Sequence, residues 1–222
     1  MTTSELISFA KSAPSVCFTV RYPTEVDRRD GFYQRIWAID RIFAKSVRRI
    51  YIRTDGPIHL LQPRIREIDN GGVEIQFSRR NPAHRLLALK LARSTRCGYA
   101  HSILSIENPL ESQLFAASKC RILDLHGAVP EETNMAGDAD RSKLLVDLEK
   151  LAVEKSQLII SVSQELLKHV QTKAKIARAL VLPISSGMLI GDSGRNRTPN
   201  SVVYAGGFQP WQQMDKMLKF VY

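Results

Sequence analysis

Short continuous apolar runs alternate with helix-period segments along most of this chain, and that alternation limits the fold more than any other feature. Val16 to Val20, Arg49 to Arg53, Val73 to Phe77, Gly98 to Ser102, Arg121 to Leu125, Leu158 to Val162 and Ala179 to Ile184 have the length and composition of strands. Between them, Phe32 to Ala44, Pro82 to Thr95 (capped by Asn81), Leu110 to Ser118, Arg141 to Lys155 and Gln164 to Thr172 (capped by Ser163) have the spacing of helices. Strands and helices at these intervals build βαβ units. The expected fold class is α/β, a Rossmann-like, mostly parallel sheet with helices on both faces.

Details follow from the same pattern. Phe32, Ile36, Ile39 and Phe43 predict the buried face of one helix, with Arg35, Arg41 and Lys45 off that stripe. Leu144, Leu148, Leu151 and Ala152 are core candidates in another, and Leu166, Leu167 and Val170 in a third. Met1 to Pro14 is expected to be a poorly ordered lead-in. His59 to Asn70, interrupted by Pro63, predicts a short helix or loop. Val129 to Asp140 predicts a polar loop from its Gly, Pro, Asn and Asp content. Ser185 to Asn200 has linker composition. Beyond it, Ser201 to Ala205, Gly206-Gly207 and Pro210 to Tyr222 predict a strand, a turn and a helix. The expected organisation is a domain over 1–184, a linker over 185–200 and the opening βα unit of a second Rossmann-like domain over 201–222, which is too small to bury a core alone.

The chain has 222 residues, 44% hydrophobic and 24% charged, the balance of a soluble globular protein. No apolar run reaches the roughly 18 residues of a membrane helix, and the N-terminus lacks the pattern of a signal peptide. Three cysteines without CxxC spacing are expected to be reduced, mostly buried thiols in a cytoplasmic protein, and neither a metal site nor a cofactor is expected. The net charge of +10 fits a phosphate-bearing substrate, nucleic acid or an anionic membrane face, as well as plain solubility. Nucleic acid is set aside, because no recognised binding motif or exposed aromatic interleaving accompanies the charge.

Candidate site residues cluster at strand ends, where open α/β sheets collect ligands. Arg121 to Leu125 ends at His126, and Gly127 allows a tight turn beside it. Glu131 and Glu132 follow closely enough to pair with or orient His126. His101 closes an earlier strand. Together with Ser102 and Asp124 it admits a hydrolase triad, but no G-x-S-x-G elbow supports one.

Four segments, in order from Arg121 to Trp211, resemble the family-four type of GT-B glycosyltransferase. They are Asp124-Leu125-His126-Gly127 with Pro130-Glu131-Glu132, Glu149 with Ser156 to Ser163, Val181 to Gly187, and Val203 to Trp211. Before Arg121 the similarity is architectural. The resemblance implies two facing Rossmann-like domains with the reaction in the cleft between them. The N-terminal domain would handle a glycan or lipid-linked acceptor, and the C-terminal domain a nucleotide-sugar donor. His126 would stand near the transferred sugar as a hydrogen-bonding or polarising group. Gly31 falls where the family has a Gly-rich turn near the donor phosphates, a place suited to anions at a helix N-terminus, although Asp30-Gly31 replaces Gly-Gly and admits a purely structural turn. Gly206 and Gly207 match the opening turn of the donor domain. The basic residue pair and the two spaced glutamates that grip the donor in this family lie beyond the second domain's opening turn and have no counterpart before Tyr222. The chain is therefore expected to lack a donor site and to be inactive alone, as a fragment, a truncated product or one half of a partnership. A non-catalytic binding module derived from such an enzyme fits the same residues. A lipid-linked acceptor suggests peripheral binding at the inner membrane face, for which Arg79, Arg80, Arg85, Arg93 and Arg96 on and beside the Pro82 helix are the candidates.

Overall fold

The computed structural model describes residues 3–12, 14–27 and 30–183, with Lys216 and Lys219. The expected linker over 185–200, the strand from Ser201, the Gly206-Gly207 turn and, apart from those two lysines, the Pro210 helix lie outside the described residues.

Among the described residues eight strands make one sheet, in the order β3-β4-β2-β1-β5-β6-β7-β8. The strands are β1 (Ser15–Phe18), β2 (Arg48–Arg53), β3 (Arg64–Ile68), β4 (Gly72–Gln76), β5 (Cys97–His101), β6 (Cys120–Leu125), β7 (Leu158–Ser161) and β8 (Ala179–Val181). Every pairing is parallel except that of β3 with β4. Helices α1 (Thr3–Lys11), α2 (Gly31–Phe43), α3 (Pro82–Ser94), α4 (Pro109–Ala117), α5 (Val129–Met135), α6 (Ala139–Lys155) and α7 (Gln164–Gln171) connect or flank them. The class is α/β and Rossmann-like, as the alternation predicts.

Alternation along the strands sorts the core into two layers. Cys17, Ile50, Ile52, Val73 and Ile75 pack under α1, α3 and α4, while Leu123, Leu125 and Ile159 pack under α6 and α7. On the opposite face Val16, Phe18, Tyr51 and Tyr99 meet Ile36 and Ile39 of α2. Phe18 stacks on Tyr51 with ring centroids 4.4 Å apart.

Four expectations are corrected. The lead-in is a helix, because Leu6 and Ala10 bury against the first layer. The His59 to Asn70 stretch holds β3, an edge strand held antiparallel by the Asn70-Gly71 turn, where both residues have positive φ. Val129 to Asp140 is not a loop. Pro130 sits in the first turn of α5 and Glu131 and Glu132 follow it, both favourable at a helix start, while the breaking residues are confined to the joint at Gly137. The inward face of α6 is turned by one position: Leu145, Glu149, Ala152 and Val153 are buried, whereas Leu144 is 71% and Leu151 51% exposed.

The turned face gives a direct test. Leu145→Ala should cost about 2–5 kcal/mol of stability by cavity formation, and Leu144→Ala no more than about 0.5 kcal/mol. Urea denaturation followed by circular dichroism measures both, and equal losses would contradict the assignment.

Candidate functional site

From β1 the chain adds β2 and β4 on one side, then returns to lay β5 to β8 on the other. The strand order therefore reverses between β1 and β5, and a crevice opens outside their carboxyl ends. A cleft of about 520 Å³ lies there. Thr19, just past β1, and Ser105, in the turn after β5, meet across it with hydroxyl oxygens 3.3 Å apart. Arg79, after β4, donates to the Thr54 carbonyl at 3.2 Å and stands 3.9 Å from Glu111 of α4, whose carboxylate also bonds the Thr54 hydroxyl. Asn108 lines the cleft while capping α4 through Leu110 N–H. The backbone at the mouth is strained: Ser102 has φ 72° and ψ 157°, a region that costs a non-glycine residue about 1–3 kcal/mol.

One strand over, β5 and β6 end in a buried polar cluster. Asp124 accepts from Arg35 of α2 at 2.7 and 2.9 Å and from the Tyr99 hydroxyl at 2.6 Å, with Arg35 and Asp124 almost wholly buried. Burial, first, and the neighbouring carboxylate keep the Tyr99 phenol protonated and thus a donor. His101 Nε2 lies 3.1 Å from the Phe32 carbonyl, and its Nδ1 lies 3.5 Å from Asp124. Burial pushes the His101 imidazole down to about 3, so the ring is neutral. His126 Nε2 lies 3.1 Å from the same Asp124 oxygen, and the two imidazoles meet edge to face with centroids 3.8 Å apart. The His126 side chain is 13% exposed, the accessible edge of this cluster.

The structure thus brings His101 and His126 together and sets Gly127 directly after them. Glu131 and Glu132 do not orient His126. Glu131 pairs with Lys173 at 2.6 Å and His169 at 2.9 Å, and Lys173 also holds the buried Glu149 at 2.9 Å. Glu132 fills the space a side chain on Gly127 would need. Gly31 opens α2, but the Asp30 carboxylate already accepts from Phe32 N–H at 2.8 Å, the place an incoming anion would take. Gly206 and Gly207 lie outside the described residues. Ser102 caps the following turn through Leu104 N–H and does not contact His101 as a triad would require. Arg35 corrects an expectation: it is 4% exposed and central. The signal was present, since positions 32, 35, 36 and 39 share one helical face. Thr19, Ser105, Arg79 and Glu111 could be assembled only by the topology.

The arginines beside α3 lie at both ends of the sheet. Arg79 and Arg80 follow β4 at the carboxyl end. Arg93 and Arg96 stand about 20 Å away at the amino end, given the 13-residue helix. There Lys11, Lys90, Arg93, Arg96 and Lys119 line two adjoining clefts. Among the described residues no helix is long and apolar enough to cross a membrane.

No protein-family model matches the sequence, and a search of curated proteins finds no match. Among solved structures, a sucrose-phosphate synthase chain from Thermosynechococcus elongatus is similar over 78% of this chain and 90% of its own, with a TM-score of 0.41 and 12% identity. The architecture stands on the strand order and pairing described above.

Two outcomes check the site's electrostatics. Arg35→Met strands a buried carboxylate and should cost about 3–5 kcal/mol, whereas Arg141→Met, which breaks an exposed pair with Glu107, should cost about 1 kcal/mol or less. Burial opposes the charge of Glu131, but Lys173 and His169 overcome it and hold the carboxyl below its ordinary 4.5. A depressed carboxylate contributes stability that is full above that value and is lost as pH falls below it. Glu131→Gln should therefore lower stability at pH 7 and flatten its decline between neutral and acid pH, as read from thermal melts across pH. An unchanged slope would exclude Glu131 from the acid limb.

Proposed function

We propose that this chain is the acceptor-side domain of a sugar transferase that moves a sugar from a nucleotide-sugar donor to a glycan or lipid-linked acceptor. One observation carries the reading: His126, backed by Asp124, sits at the carboxyl end of β6 as the accessible edge of a buried polar cluster, one strand from the polar cleft where the strand order reverses. The ordered segments around Asp124 to Glu132 and Ser156 to Ser163 support it by their resemblance to GT-B enzymes.

The chemistry of the cleft suits a sugar. Two hydroxyls, an amide, a guanidinium and two carboxylates offer donors and acceptors in mixed array, the equipment that orients a polyhydroxylated ligand. Asp124 Oδ2 stands 3.1 Å from His126 Nε2, and the accessible part of the ring can polarise a sugar hydroxyl. The cations Lys11, Lys90, Arg93, Arg96 and Lys119 support a second element of the reading, peripheral contact with anionic lipid at the amino end of the strands.

The decisive assay offers a panel of nucleotide sugars and saccharide acceptors to the longest reading frame that contains this chain and measures nucleotide release. Saccharide-dependent release is expected, reduced about a hundredfold or more by His126→Ala. Saccharide binding without release, seen by saturation-transfer NMR, would assign a non-catalytic binding module instead. Neither binding nor release would overturn both readings.

A further inference from the structure

Two buried imidazole nitrogens face one carboxylate oxygen without a hydrogen bond. His101 Nδ1 lies 3.5 Å and His126 Nε2 3.1 Å from Asp124 Oδ2. Neither nitrogen has a hydrogen-bond partner, although both are shut off from water. The tautomer of His101 explains its half of the geometry. Its Nε2 faces the Phe32 carbonyl, which can only accept, so the ring proton is on Nε2 and Nδ1 presents a bare lone pair. A buried lone pair aimed at a carboxylate is costly unless positive charge lies between them.

The spacing is that of ligands around a common centre. Donors bound tetrahedrally at roughly 2.0–2.1 Å from a zinc ion stand about 3.4 Å from one another, and the two distances to Asp124 bracket that value. All three donor atoms lie within 4.8 Å of one another. Outer partners that would fix such ligands are also in place: a backbone carbonyl on the far nitrogen of His101, and Tyr99 and Arg35 on Asp124.

We propose that His101, Asp124 and His126 bind a divalent transition ion of the zinc kind, with two imidazoles, one carboxylate and a fourth position left open. Asp124 Oδ2, the oxygen both imidazoles face, is held from behind by the Tyr99 hydroxyl at 2.6 Å and Arg35 Nε at 2.9 Å, while Arg35 also takes Oδ1 at 2.7 Å. Because Arg35 already balances the carboxylate, the loaded site carries excess positive charge, and the open position suits an anionic occupant such as hydroxide or a phosphate oxygen. Asp124 and His126 are two residues apart, but His101 joins them only through the pairing of β5 with β6. The inference stands apart from the sugar-transfer reading, because its test measures metal.

The tag-free chain, stripped with a chelator, would be dialysed against Zn²⁺ and its metal content measured, and Co²⁺ would be titrated with visible absorption as the readout. One equivalent of Zn²⁺ is expected, with a tetrahedral Co²⁺ spectrum that Zn²⁺ abolishes. His126→Ala, at the accessible edge of the cluster, should weaken binding about a hundredfold or more, and Tyr99→Phe, which keeps all three ligands, about tenfold. His59→Ala, at an exposed position, should change nothing. Circular dichroism on each variant separates loss of metal from loss of fold. Failure of the folded wild type to take up stoichiometric metal would overturn the proposal, as would uptake unchanged by a folded His126→Ala. Loss of sugar transfer in His126→Ala without any metal effect would remove this proposal and leave the transfer reading standing.

Discussion

The pairing of Arg35 with Asp124 holds the functional end of the molecule together. Among the described residues α2 is the one helix set against its face of the sheet, and Arg35 joins it to β6 through hydrogen bonds at 2.7 and 2.9 Å, with a further bond to the Leu182 carbonyl beyond β8. A carboxylate placed mid-sheet without a partner would be expelled or neutralised. With the guanidinium present it stays charged, orders Tyr99 and fixes where the two histidines can stand. Such a pair adds little to stability compared with an apolar contact of the same shape, yet losing one partner is severe. What it contributes is a defined position for α2, and with it the roof over His101 and His126.

The two faces of the sheet differ in kind. The α3 and α4 side buries Ile50, Ile52, Val73 and Ile75, a dry layer that asks only for apolar area. The α2 side buries Asp40, Arg49, Tyr51, Glu74, Tyr99 and Asp124 among its apolar residues. These groups pair with one another or with neighbours: Tyr51 donates to Asp40 at 2.9 Å, Arg49 lies 3.3 Å from Asp40, and Arg66 reaches Glu74 at 2.9 Å. A network of this sort specifies one packing of α2 where greasy contact alone would tolerate several.

How much of this was legible follows from which interactions are local. The strands from Val16, Arg49, Val73, Arg121 and Leu158 announce themselves, because a parallel strand buried on both faces is an apolar run whatever its neighbours are. His126 stands out for the same reason, as a polar residue where such a run stops. The misreadings share another cause. Arg35 and Glu149 carry charge on buried helical faces, and sequence pattern alone sends charge outward; only Asp124 and Lys173, 89 and 24 residues away, make their burial affordable. On α6 the burial of Glu149 goes with an inward face through Leu145 and away from Leu144. The switch-point cleft was invisible for a topological reason. Thr19 and Ser105 are 86 residues apart and meet only because β5 pairs with β1.

The same topology separates the two chemistries of the surface. Parallel strands send all their carboxyl ends one way, so the cleft, His126 and the strained Ser102 share one end of the sheet, while Lys11, Lys90, Arg93, Arg96 and Lys119 share the other. A five-residue strand spans roughly 17 Å, about twice the Debye length of about 8 Å at physiological ionic strength. Screening by water and salt then leaves the basic end little influence over what binds at the crevice. The electrostatics there are set locally, by Arg35, Asp124 and the imidazoles of His101 and His126, and by Glu111 and Arg79 across the cleft. The net charge of +10 therefore bears on surface contacts of the basic end and hardly on the chemistry of the crevice. A search for that ligand should start from the hydroxyls, amide and paired charges of the crevice, because they are the groups close enough to select it.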